Sequence, residues 1–411
     1  MSPRIAFLLF LSACDAPSCP QGEAFDVEGL CVPVLPGVDT GVGDSGDSGA
    51  VETGGTADTA DTADTADTAD TADTGEPWAE LPRRVDTLAE FDTTAWLGEG
   101  VAWYGLSVAP DGSVWAASGA GLLHLSADGS THRVYTTADG LFANDARAVL
   151  AARDGTVWVG YAGTVDRQGD QFSVGDGGDL SVLRVVDYSE SVEITGVYRL
   201  REQPFGVGAG DIWMGTNEGL CLWDADLAVF AEHAHPTHPH LLARGVAFTP
   251  EADVWGGDQY QLARWRYSND GDLSPSADLF ESWVPWPVEV EALVDIEDAD
   301  AAGSVLWVVS SLHGLARVDV AEAGGASVTS LLPELGPARA VRQVDARSVL
   351  VGTDLGLGAV DLTLGTVGIL EGAEGLTGSV QQVARVEPEG DGSAWLALPG
   401  KLVRLTLTPA R

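Results

Sequence analysis

The chain has 411 residues, 45% of them apolar, so it can bury a large core, and its length suggests about two domains. Its formal net charge is −41, from 21 Lys and Arg against 62 Asp and Glu. That balance excludes a nucleic-acid binder, which needs a basic face to meet phosphate, and adsorption to an anionic membrane through basic patches.

The chain begins MSPRIAFLLFLSAC. Arg4 gives a positive start, and Ile5 to Leu11 is an apolar run too short to cross a bilayer as a helix. Leu11-Ser12-Ala13-Cys14 resembles the lipobox of bacterial lipoproteins. The resemblance implies a signal peptide over 1–13, lipidation of Cys14 as the mature N-terminus, and a protein exported to the bacterial cell envelope and held to a membrane by its lipid anchor only. The alternative is an ordinary secretory peptide. Asp15 resembles an inner-membrane retention signal of enteric bacteria, yet the outer membrane or cell surface is the favoured address. Residues 14–36 form a lipidated N-terminal patch. Export permits disulfides, and Cys19 and Cys31 are spaced for a small loop whose closure would stabilise by about 3 kcal/mol. Cys221, in the apolar run GLCLW, reads as a core residue.

Residues 37–77 are a linker of small and acidic residues, with Thr-Ala-Asp repeated six times from Thr56 to Asp73. Such a stretch buries too little to offset ordering entropy, and its unbalanced charge extends it, so it is expected to be disordered.

From residue 78 to 411 one unit recurs: a small apolar run, a turn, an apolar-Trp-apolar run and a Gly-Leu. Its centres are Trp115, Trp158, Trp213, Trp255, Trp307, Leu350 and Trp395, at steps of 42 to 55 residues. That is the length of a four-stranded propeller blade, and the count predicts an all-β, seven-bladed β-propeller. The two longest steps are read as insertions around GDGGDLSVLRVVDYSES and SNDGDLSPSADLF. The last unit lacks an outer strand, whereas LAEFDTTAWLGEG upstream resembles the outer strand and exit loop of the first unit, HRVYTTADGLFAN. The N-terminal strand is therefore expected to close the last blade and leave no free edge. The Trp positions fit packing between blades.

Asp139-Gly140-Leu141, Asn144, the Ala146–Val149 run, Asp154-Gly155, Trp158 and Gly160 together resemble the two-component regulator propeller repeats. The resemblance implies the propeller fold and a binding tendency, often for saccharides in extracytoplasmic sensing parts.

Three inner strands align without gaps and place Arg147, Arg244 and Arg339 at the same position. The other units place Tyr104, Thr195, Glu291 and Gln381 there. A ring of three guanidiniums with Tyr104 near one channel end would suit an anionic ligand such as an acidic glycan. The competing expectation is that these arginines pair with Glu291 and loop carboxylates such as Asp145. The segment EHAHPTHPH, with His233, His235, His238 and His240, is read as an exit loop beside this ring. It could carry a divalent metal, but the spacing matches no structural zinc pattern, and Pro236 and Pro239 hold alternate side chains apart. No cofactor is otherwise implied. No nucleophile elbow, P-loop or dinucleotide fingerprint is present, and no catalytic residue stands out. The function expected is that of a binding or sensing lipoprotein, a monomer whose partner is an anionic saccharide or an envelope protein. The alternatives are a glycan lyase or hydrolase acting at the channel mouth, and a purely structural scaffold.

Overall fold

In the computed structural model the described residues are 79–161 and most of 196–410, with short stretches at 23–25, 31–33, 172–176 and 179–185. The chain divides into two units, Met1–Ala72 and Asp73–Arg411. In the first, β1 (Glu23–Phe25) pairs antiparallel with β2 (Cys31–Pro33). Cys14, Cys19 and the Thr-Ala-Asp repeats lie outside the described residues. Among the described residues no helix is long and apolar enough to cross a membrane.

The second unit is all-β but for two single helical turns among its described residues, Thr94–Leu97 and Thr137–Asp139. It opens with β3 (Ala79–Asp92). The first blade follows as β4 (Trp103–Val108), β5 (Val114–Ser118), β6 (Gly121–Leu125) and β7 (His132–Tyr135). The second is β8 (Ala146–Ala151), β9 (Thr156–Tyr161), β10 (Phe172–Asp176) and β11 (Asp179–Val185). The third is β12 (Val197–Glu202), β13 (Ile212–Thr216), β14 (Gly219–Asp224) and β15 (Val229–Ala234). The fourth has three described strands, β16 (Gly245–Phe248), β17 (Val254–Gly257) and β18 (Leu262–Trp265). The fifth is β19 (Ile296–Ala302), β20 (Val305–Ser310), β21 (Gly314–Val320) and β22 (Ala326–Leu332). Within each blade, strands run antiparallel to their sequence neighbours.

The last two repeat units do not stand apart. β23 (Ala338–Gln343), β24 (Ser348–Thr353), β25 (Gly356–Asp361) and β26 (Thr366–Glu371) join β27 (Gln382–Arg385), β28 (Ser393–Leu398) and β29 (Lys401–Pro409) in one sheet through β3. The order is β23-β24-β25-β26-β3-β29-β28-β27. Seven separate blades were expected, and this is a correction: five separate blades are found beside one eight-stranded sheet. The cause is the length of β3. Its 14 residues pair antiparallel with β29, from Lys401 opposite Asp92 to Pro409 opposite Arg83, and parallel with β26 at Ala79 and Glu80. One strand thus covers two edges that would otherwise present unpaired backbone groups.

The core is a series of layers between successive units. Trp115 packs with Val149 and Val157, Trp158 with Val197 and Ile212, and Trp213 with Val246 and Val254. Trp255 packs with Ile296 and Leu306, Trp307 with Val341 and Val349, Leu350 with Val380 and Val383, and Trp395 with Leu106 and Val114. Each of these rings is at most 4% exposed, and burying one indole stabilises by about 4–6 kcal/mol as an upper estimate. In four units the chain must let the next unit approach two residues after the layer residue, at Gly160, Gly215, Gly257 and Gly352. A Cβ on Gly215 would lie 2.4 Å from the Ala243 carbonyl oxygen, so the Trp-x-Gly spacing is a packing requirement. Cys221 is buried in the layer with Trp158.

The repeat signature builds turns. The Asp139 carboxylate accepts from the Thr136 amide, and Asn144 Oδ1 accepts from the Thr137 amide. Asp154 Oδ1 accepts from the Thr156 amide across the turn in which Gly155 has φ +89°. One insertion is reassigned: GDGGDLSVLRVVDYSES contains β11, the outer strand of its blade. SNDGDLSPSADLF lies outside the described residues.

Candidate functional site

The inner strands β4, β8, β12, β16, β19, β23 and β27 line a channel, and its mouth is formed by the second residues of β4, β8, β12, β19 and β23 and by the residues just before β16 and β27. In five of these strands a register shift straddles that residue: Trp103/Gly105, Ala146/Ala148, Val197/Arg199, Ile296/Asp298 and Ala338/Ala340. Tyr104, Arg147, Tyr198, Glu297 and Arg339 are therefore the extra residues of bulges, which re-aim side chains at a sheet rim. Arg244 and Gln381 immediately precede β16 and β27, and their amides reach the carbonyls of Gly257 and Ala397.

These seven residues line one cavity of about 380 Å³, together with Trp103, Arg199, Ser379 and Gln382. The structure thus brings together Tyr104, Arg147, Arg244, Arg339 and Gln381 as expected. It corrects two of the ring positions: Tyr198 and Glu297 occupy the places assigned to Thr195 and Glu291, both of which lie outside the described residues. The inner strands VYRLRE and IEDADAA carry charges where the other units have small apolar residues, which displaced the alignment by three and six positions.

Each mouth arginine has a carboxylate. Arg147 Nη2 lies 2.7 Å from Asp145, and its guanidinium sits 4.0 Å above the Tyr104 ring. Arg244 Nη1 lies 2.6 Å from Glu297 Oε1, with its guanidinium 6.0 Å from the Tyr198 ring centre. Arg339 grips Asp354 with Nε at 2.6 Å and Nη2 at 3.0 Å, and Ser379 Oγ donates to the same carboxylate at 2.9 Å. The Arg339 hydrogen bond holds the Asp354 carboxyl below its ordinary pKa. Pairing with carboxylates, the competing expectation, is what the arginines do, with Glu297 in place of Glu291. The mouth is consequently balanced in charge. It offers two aromatic faces, amide groups and the N–H groups of Arg147 and Arg244 that the ion pairs do not use, a surface that matches a polar ligand with hydroxyls and a flat apolar side.

Below the mouth the channel narrows to about 50 Å³ between Tyr104, Ala148, Leu150, Arg199, Arg201 and Arg342. Here the charge pattern differs, and sequence reasoning missed it. Asp298 is fully buried, with Arg342 Nη1 at 2.5 Å, Arg201 Nη2 at 3.3 Å and Arg199 Nε at 3.7 Å. Burial works against its charged form, but Arg199, Arg342 and Arg201 overcome it and keep the carboxyl below its ordinary pKa. Burial, with repulsion from Arg342, pulls Arg201 down to about 9. The signal that could have located this neck is charged residues in strands that read as buried.

His233 lies in β15, opposite Cys221, and so belongs to a strand rather than to the loop expected. His235, His238 and His240 lie outside the described residues. Among the described residues no group of three metal-ligating side chains occurs.

No family model and no curated protein matches the chain. Solved structures do. A streptogramin B lyase superposes with a TM-score of 0.59 at 16% identity, covering 79% of this chain and 98% of that one. A catalytically inactive His-to-Ala variant of virginiamycin B lyase from Staphylococcus aureus, with quinupristin, gives 0.58 at 14% identity over 79% of this chain and 100% of that one. The extracellular domain of a hybrid two-component system protein from B. thetaiotaomicron gives 0.54 at 13% identity, covering 78% of this chain and 42% of that one. At these identities the likeness establishes the fold, and the fold is a β-propeller.

Proposed function

We propose that the protein is an exported, lipid-anchored binding or sensing module whose ligand, a polar and in part anionic saccharide, sits in the channel mouth. The reading rests on one observation: Tyr104, Arg147, Tyr198, Arg244, Glu297 and Arg339 converge on a single 380 Å³ cavity. On this reading the eight-stranded sheet serves as two blades, so that seven units surround the channel. Tyr104 and Tyr198 give sugar rings an apolar face, and the arginines give acidic substituents charge-assisted donors. The extracellular domains of hybrid two-component system proteins among the fold neighbours agree with such a role, and Leu11–Cys14 supports export and anchoring.

The alternative, a lyase acting at the mouth, draws on the lyase neighbours. The mouth carboxylates Glu297 and Asp354 are both tied to arginines, so the site offers no uncommitted carboxylate base among its described residues. The test is an array of neutral and acidic oligosaccharides probed with the full chain and with the Arg147→Gln/Arg244→Gln/Arg339→Gln variant. Binding that the variant loses about 100-fold supports the proposal; equal binding by both proteins overturns it. Release of unsaturated product from a bound acidic glycan would establish the lyase instead.

A further inference from the structure

The channel has a second chamber on the far side of its neck, larger than the mouth at about 630 Å³. Its floor is made by Arg201 and Arg342, which also close the neck. These guanidiniums are incompletely used. Arg342 donates only through Nη1, to Asp298 and to its own carbonyl neighbour Val341. Arg201 donates only through Nη2, to Asp298 and the Ala299 carbonyl, and its Nε is buried with no acceptor. Both side chains are mostly withdrawn from solvent, at 9% and 19% exposure. Arg199 satisfies itself otherwise, on the carbonyls of Arg244 and Glu297 and on Gln382.

Three buried cations therefore share one buried carboxylate. Two further acids line the chamber, Asp300 accepting from the Gln343 amide and Glu202 from the Arg153 amide, and Arg153 and Arg385 line it as well. The neck retains a positive surplus inside a protein of net charge −41. The sealed Arg201 Nε stays out of reach, but the remaining guanidinium N–H groups of Arg201 and Arg342 lack acceptors, and an anion on them would gain what the fold leaves unmade. One stretch of the wall is apolar, made by Leu106, Val108, Leu150, Phe205 and Phe248, with Phe205 37% exposed, and Arg153, Glu202, Gln343 and Arg385 also line the chamber. A chamber of this size, with an apolar stretch of wall beside convergent guanidiniums, has the form of a small-molecule site.

We propose that the far chamber binds a carboxylate carried on an apolar, aromatic-sized body, head down on Arg201 and Arg342, independently of any ligand at the mouth. The fork geometry of the two guanidiniums favours a planar two-oxygen head over a spherical ion. Neutral analogues of the same shape would fill the walls but leave the donors unmet.

The experiment titrates the full chain with 4-bromobenzoate and with 4-bromobenzamide by calorimetry at low salt, using wild type, Arg201→Gln and Arg147→Gln. Expected is binding of the acid at least about tenfold tighter than the amide, an Arg201→Gln loss of at least about tenfold, and no change in Arg147→Gln. Equal binding of acid and amide, no binding of either, or full binding by Arg201→Gln would overturn the proposal. Loss in Arg147→Gln alone would move the ligand to the mouth and overturn it as well. Should Arg201→Gln fail to fold, a wild-type crystal soaked in 4-bromobenzoate decides. Bromine density in the far chamber upholds the site, and density elsewhere or nowhere refutes it.

Discussion

The two ends of the neck solve the same electrostatic problem differently. At the mouth, Arg147, Arg244 and Arg339 are 29%, 29% and 41% exposed, and each has its own carboxylate. Water shares the load there, so each pair contributes little and can be opened by a competing ligand. In the neck, Arg199, Arg201 and Arg342 converge on Asp298, which has no exposure at all. There Asp298 is the carboxylate on which all three buried cations converge, so its loss strands them together. The contrast separates ion pairs shared with water from a joint that ties three inner strands together: β12, β19 and β23.

The largest expected effect follows from that asymmetry. Asp298→Asn should lower unfolding free energy by about 3–5 kcal/mol in urea titrations, since it strands the neck arginines. Asp354→Asn at the mouth should cost no more than about 1 kcal/mol. Equal losses would erase the distinction between the two regions. Next in size, Gly215→Ala should cost about 1–3 kcal/mol and weaken mouth binding together with stability, because the Ala243 carbonyl it strikes leads directly into Arg244.

Acid should discriminate the two regions further. Asp298 and Asp354 both have carboxyls held below their ordinary values. Each therefore adds stability that is complete above roughly pH 4 and is lost as pH falls through its own lower value. Wild-type melting temperature should drop below about pH 4, and Asp354→Asn should remove only part of that slope. A slope abolished in Asp354→Asn would place the acid sensitivity at the mouth alone. The smallest effect is Tyr104→Leu, which removes the ring under Arg147 and should change stability by about 0.5–1 kcal/mol while weakening saccharide binding.

Much of this architecture was legible because it repeats. Trp115 through Trp395 mark the layers between units, and in four units Gly160, Gly215, Gly257 and Gly352 two residues later mark the close approach of the next unit. Arg147, Arg244 and Arg339 could be aligned since their strands share the Ala-Arg start and small apolar residues. Thr195 and Glu291 were misplaced for the same reason. The strands that hold Arg199, Arg201, Asp298 and Asp300 break the repeat pattern where buried charge is needed, so the alignment failed at the neck itself. The eight-stranded sheet was legible in part, since β3 pairs with β29 as the expected closure of the last blade, and illegible in its other half. Its parallel seam between β26 and the start of β3 joins segments nearly three hundred residues apart, with no local pattern to announce it.

The bulges at the mouth have a consequence for how such a protein can change. A bulged residue faces no partner in the ladder, so exchanging its side chain leaves every inter-strand pair intact. Tyr104, Arg147, Tyr198, Glu297 and Arg339 are thus positions whose side chains can be exchanged without renegotiating the ladder, and on the proposed function these are the positions that meet the ligand. A library restricted to these five codons would vary the ligand while the Trp layers keep the scaffold constant.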